Sequence, residues 1–207
     1  MNRTQIARTI AVVLSLCSVL LGTGNVAADL PHHKGGPGAR VGIQDEPRDL
    51  LSQLDGTWNV QQRMWTGPDS DPVTLPAATA HRRFVHSSYV EEKMELAKGV
   101  EGDSFTRSAT VSWNVVTQTY EYFSIDSRLP QMMTYPTATE HAGSLWFTLR
   151  EPFVAPTWGN DSDVPFTARL RLQPGAHRQV VKLYLKRLSA EPTEEFVAFE
   201  YIYTHAR

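Results

Sequence analysis

From Gly56 to the end of the chain, short runs of β-branched, aromatic and alternating residues are cut by polar or Gly/Pro turns at close spacing, and no helical period of useful length intervenes. That punctuation belongs to an antiparallel meander, because each run is long enough for one strand and each gap long enough for one turn. Runs at 57–65, 78–86, 89–97, 105–115, 119–126, 131–137, 144–151, 166–172, 179–188 and 195–205 predict about ten strands joined mostly by hairpin-length links. Two longer segments, 66–77 and 152–165, carry several prolines and acidic residues and read as irregular loops, of the kind that serve as lids or stay mobile. An open sheet of this size would expose two edges, so the expected fold class is an all-β, antiparallel up-and-down barrel, closed or clam-like. Side chains alone fill a barrel of about eight strands, so a wider one is expected to enclose a cavity.

The start of the chain has a different character. Arg3 and Arg8 precede an apolar run at 11–22, and Val26-Ala27-Ala28 follows, which is the layout of a secretory signal cleaved before Asp29. The run is about a dozen residues, short of the roughly 20 that a membrane-spanning helix requires. Cys17, the only cysteine, lies within it and is preceded by Leu16 rather than a small residue, so lipid attachment is not expected and the mature chain would be cysteine-free. Residues 29–47 are rich in Gly and Pro and poor in apolar residues, and read as a flexible leader. Leu50, Leu51 and Leu54 then recur at helical spacing, predicting a helical turn over 47–54 that caps one end of the barrel domain, 48–207. The formal charge of −2 becomes about −4 if Arg3 and Arg8 leave with the signal, which speaks against nucleic acid or an anionic membrane as partner. The expectation is an exported, soluble protein, periplasmic or secreted.

Alternation singles out two charged residues. Val90, Glu92, Met94 and Leu96 share one face of their strand, and Phe105, Arg107, Ala109, Val111, Trp113 and Val115 share one face of the next. If these apolar faces point inward, Glu92 and Arg107 lie inside the barrel, where they must pair with each other or hold a polar group of a ligand. At a barrel mouth they would simply meet water, and the register is not fixed by sequence. Tyr120, Tyr122, Trp146, Tyr184, Tyr201 and Tyr203 fall on predicted strands, either as core or as the lining of an apolar pocket with hydroxyl handles.

No metal or cofactor is expected: His81, His86, His141, His177 and His205 are scattered, and His205, which resembles the late-strand axial histidine of haem-binding small barrels, is expected instead to cap the last strand in solvent. Patterns for a serine nucleophile, a zinc protease or a phosphate loop are missing, and the adjacent carboxylates Glu91-Glu92 and Glu194-Glu195 point to opposite faces of a strand. Asn160-Asp161-Ser162 fits a glycosylation acceptor.

Gly56-Thr57-Trp58 resembles the Gly-x-Trp opening of the lipocalin-like, or calycin, barrels, in which the tryptophan closes the floor and a basic residue from the last strand packs over it. The resemblance implies structural roles for Gly56 and Trp58, and gives the basic role to Arg207 or Arg187. From about Leu50 onward the chain is similar to a bacterial family called domain of unknown function 1579, through the Gly-x-Trp start, the Tyr120-to-Ser127 segment and the glycine-led Gly143-Ser144-Leu145-Trp146-Phe147. This family has no agreed activity, so it implies a fold and leaves function open.

Three readings of function follow. The first is binding of a small, largely apolar molecule by an exported barrel, with Glu92, Arg107, Trp113, Tyr122 and Tyr201 as ligand contacts. The second is an enzyme of the same fold using acid/base residues, and the third is a structural or partner-binding barrel with a filled interior. A cavity with a strongly shifted acid would favour the enzyme, a cavity without one the carrier, and a packed interior the third. Oligomeric state is left open.

Overall fold

The computed structural model describes residues 45–154, 164–188 and 194–206. The signal, most of the leader, the Asn160-Asp161-Ser162 sequence and Arg207 lie outside the described residues. One helix, α1 (Asp45–Ser52), precedes twelve strands: β1 (Gly56–Met64), β2 (Val73–Val85), β3 (Tyr89–Leu96), β4 (Thr106–Asn114), β5 (Thr119–Asp126), β6 (Leu129–Tyr135), β7 (Ala138–His141), β8 (Ser144–Thr148), β9 (Phe153–Val154), β10 (Pro165–Gln173), β11 (Arg178–Arg187) and β12 (Glu195–His205). Among the described residues no helix is long and apolar enough to cross a membrane.

The sheet runs β6-β5-β4-β3-β2-β1-β12-β11-β10-β8-β7, with β9 paired to β10 beside that path, and every pairing is antiparallel. Neighbours in space are neighbours in sequence except where the first strand meets the last and where β10 pairs β8 past the short β9, so the fold is an up-and-down, nearly closed barrel. The seam falls between β6 and β7. It is bridged by Arg150 N–H donating to the Thr134 carbonyl at 3.0 Å, and by the Thr119 hydroxyl, which exchanges hydrogen bonds with the Ala138 backbone at 3.0 Å.

Alternation gives each strand one buried face, and these faces form a single core. Two irregularities adjust the phase. Between Val60 and Gln62 the β1–β2 register shifts, and the Gln62 amide donates to the Pro76 carbonyl at 2.7 Å. The bulge accommodates a proline inside a strand, which is why β2 begins at Val73, within a segment expected to be a loop. In β12, Ala198 is the extra residue where Leu183 pairs Phe199 but Tyr184 pairs Val197. As a result Phe196 and Ala198 are buried before the bulge, and Tyr201 and Tyr203 after it.

Two strands were absent from the sequence reading. β7 is four residues, three of them polar and exposed, without a hydrophobic alternation, joined to β8 by a two-residue turn in which Ala142 (φ 49°) and Gly143 (φ 66°) are both left-handed. β9 is only two residues long. Val115, expected on the inward face, lies beyond β4 and is exposed, because the strand gives way to the turn after Asn114.

Helix α1 covers one mouth of the barrel, beginning slightly earlier than predicted, at Asp45. Leu51 and Leu54 are fully buried, while the charged residues on its other side remain exposed. The Trp58 indole N–H donates to the Leu54 carbonyl at 3.2 Å, tying the end of the helical segment to the barrel floor.

Candidate functional site

The inward face of the barrel carries more charge than a core normally tolerates. Arg82 on β2 lies directly opposite Glu92 on β3, and Arg107 on β4 is one pair further along the same face. Arg82 Nε donates to Glu92 Oε2 at 2.6 Å, and Arg107 Nη1 donates to Glu92 Oε1, so the carboxylate is held from both sides. Arg107 Nη2 donates to the Tyr122 hydroxyl, and Arg82 Nη1 to Gln179 Oε1. Gln179 in turn donates to the Gln53 carbonyl at 2.8 Å, just beyond α1. The guanidinium carbon of Arg82 sits 4.0 Å from the centre of the Tyr203 ring, and that of Arg107 sits 5.3 Å from the centre of Tyr201.

Arg82, Glu92 and Arg107 are each at most 8 % exposed. Burial alone would raise the Glu92 pKa, but the two guanidiniums outweigh it and hold the carboxyl below the ordinary carboxylate range. Burial pushes the Tyr122, Tyr201 and Tyr203 phenols up, Tyr203 most clearly, with the Glu92 charge acting in the same direction there. These tyrosines are therefore neutral hydrogen-bonding groups. The Tyr203 hydroxyl is sealed beside Glu92 and is the one buried side-chain polar atom among the described residues without a hydrogen-bond partner. Two cations thus face one anion within this network.

Sequence reading brought Glu92, Arg107, Tyr122 and Tyr201 forward, and the structure places them together. It missed Arg82 and Gln62, although the same signal was present: each interrupts an otherwise apolar inward set, Ala78-Ala80-Arg82-Phe84 and Trp58-Val60-Gln62-Met64. Gln179 carried a similar signal, heading the apolar set Val181-Leu183-Leu185, but its contact with Gln53 just beyond α1 carried none, because it depends on barrel closure. Trp113 stands apart from the network, at the mouth under α1.

On the floor, Trp58 is fully buried with the His205 ring edge-on at 5.0 Å. Gly56, at φ 114°, lets the chain pass that ring: a Cβ there would lie 2.9 Å from His205 Nε2. Of the two residues expected over Trp58, Arg187 lies instead over Phe166, 5.9 Å from its centre, and Arg207 lies outside the described residues. His205 also contacts the Ala206 carbonyl through Nδ1 at 2.9 Å, so its ring is engaged on two sides.

The larger opening lies at the α1 mouth, a cleft of about 510 Å³ lined by Glu46, Pro47, Asp49, Leu50 and Gln53 from the helical segment and by Trp113, Tyr120, Glu140 and Pro174 from the barrel. Trp113 and Tyr120 form its aromatic wall, ring centres 4.9 Å apart and nearly perpendicular. Burial pushes the Tyr120 phenol up to about 12, with Glu140 and Glu46 adding to the effect. A smaller cleft of about 140 Å³ lies near the seam, against Tyr135, Pro136 and Arg150. By contrast the interior proper is occupied by large side chains, among them Trp58, Tyr135, Phe147, Phe166 and Tyr203, all fully buried.

No curated protein matches the chain in a sequence comparison. A family model described as Protein of unknown function (DUF1579) matches residues 44–153, from the residue before α1 through β8 and into β9, and so spans the helix, Trp58, the Arg82–Glu92–Arg107 set and Trp113. The match covers more than half of the chain, which therefore belongs to the family of unknown function DUF1579.

Proposed function

We propose that this protein is an exported binding barrel that holds a small molecule in the mouth beneath α1 rather than at the barrel centre. The observation that carries this is the cleft of about 510 Å³, which has the size of a small-molecule site and combines an apolar wall with a few polar groups. The centre is less suited to a ligand, because large side chains occupy it and the Glu92 carboxylate already has both oxygens engaged. The same pairing weighs against the acid/base enzyme. A carboxyl held below its ordinary range between two guanidiniums is an anchor and not a proton donor. Export rests on the N-terminal sequence pattern alone.

The packed interior also favours a second reading, a barrel that binds a protein partner or serves structurally, and one experiment separates the two. Native mass spectrometry of the protein purified from its own host without refolding is expected to show a mass excess that disappears on denaturation. In Leu50→Trp, which places bulk in the cleft, the excess is expected to be lost. A bare mass in the unmodified protein, or an excess that survives Leu50→Trp, contradicts binding at the mouth.

A further inference from the structure

Resting on the mouth as the binding site, we infer that its ligand is an organic cation, an ammonium or similar group carried on an apolar body, with the charge set against Glu46, Asp49 and Glu140 and the body against Trp113 and Tyr120.

The charge pattern comes from two separate elements. Glu46 and Asp49 lie on α1 and Glu140 on β7, yet all three line one cleft, and no Lys, Arg or His among the described residues does. None of the three forms an ion pair among the described residues, so no described cation offsets their charge at the cleft. Carboxylates in the first turns of a helix are favoured by its dipole, which accounts for Glu46 and Asp49 in part. It does not account for Glu140, on a strand across the cleft.

A second observation is independent of these charges. Tyr120 is 7 % exposed and lines the cleft, and its hydroxyl makes no hydrogen bond to any described residue. Its ring packs against Trp113, and its hydroxyl is accessible from the cleft and available to a polar group there. Leu50, Pro47, Pro174 and the Trp113–Tyr120 pair supply apolar surface next to the negative charge. A simple metal ion would leave that surface idle, and a neutral apolar molecule would make no use of the negative potential of these exposed carboxylates. An organic cation uses both, since aromatic rings attract cations and carboxylates neutralise them.

The test uses the purified full chain and three probes of similar shape: phenyltrimethylammonium, the neutral tert-butylbenzene, and benzoate. Binding is read by calorimetry and by the indole NMR signal of Trp113, assigned by its loss in Trp113→Phe. Phenyltrimethylammonium is expected to move that signal and to bind about tenfold more tightly than the neutral probe. Glu140→Gln, on an exposed strand, is expected to weaken it several-fold while leaving the neutral probe unaffected. Equal binding of the neutral probe, or tighter binding of benzoate, at Trp113 overturns the cation while leaving the mouth as the binding site. If no probe moves the Trp113 signal, the cation inference falls, and the mass measurement on the natively purified protein still decides whether the mouth holds a ligand at all.

Discussion

Glu92 governs the barrel interior because it is the sole carboxylate between Arg82 and Arg107. Its removal leaves two buried guanidiniums without an anion, so Glu92→Gln is expected to cost about 3–5 kcal/mol in urea unfolding. Arg107→Met leaves the Arg82–Glu92 pair intact and strips one donor from Glu92 and one from Tyr122, for an expected loss of about 1–3 kcal/mol. The order of these two losses is the informative result: equal effects, or a larger one for Arg107→Met, would show that charge balance is not what the cluster provides. The acid limb follows from the same residue. Its folded pKa lies below the unfolded value, so the unfolded chain takes up the proton first; the stabilisation is complete above the unfolded pKa and is lost as pH falls through the folded one. Wild-type stability is therefore expected to fall as the pH drops below about 5, into and through the depressed Glu92 pKa, and Glu92→Gln to show a shallower fall. Gly56 is constrained differently, by its positive φ and the adjacent His205 ring. Gly56→Ala is expected to lower stability by about 1–3 kcal/mol.

Helix α1 and the β12 bulge are the two elements that place the sites. Leu51 and Leu54 anchor α1 over the mouth, so Leu51→Ala is expected to cost about 2–5 kcal/mol in chemical unfolding and to loosen the cleft wall that Leu50 and Glu46 provide. An unchanged unfolding midpoint would mean that the helix is not docked in solution. The bulge at Ala198 turns Tyr201 and Tyr203 inward, onto Arg107 and Arg82. Much of this was legible in the sequence where alternation is strict: β5 and β12 lie at their expected bounds, and the charged interruptions at Glu92 and Arg107 face the core. Legibility failed where tertiary context overrides local pattern. Pro76 disguised the start of β2, polar β7 has no apolar stripe to detect, and the contact of His205 with Trp58 depends on how the first and last strands meet. The mouth cleft was invisible for the same reason: its lining comes from α1, β4, β5, β7 and the link before β11, segments that only the closed barrel brings together.

The whole barrel divides its polar groups into two sets with opposite circumstances. Inside, nearly every polar atom of the Arg82–Glu92–Arg107 set is paired and removed from water, which fixes how β2, β3 and β4 sit against β11 and β12. At the mouth, carboxylates and a phenol without side-chain partners among the described residues border an open cleft with an aromatic wall. Paired interior groups suit a scaffold, and unpaired groups at an opening suit recognition. A high-resolution crystal structure of the protein purified from its own host without refolding tests this division directly. Density for a small molecule against Trp113 and Tyr120, with both guanidiniums still on Glu92, is the predicted result; density lodged between Arg107 and Tyr203, with Glu92 displaced from its partners, would contradict it.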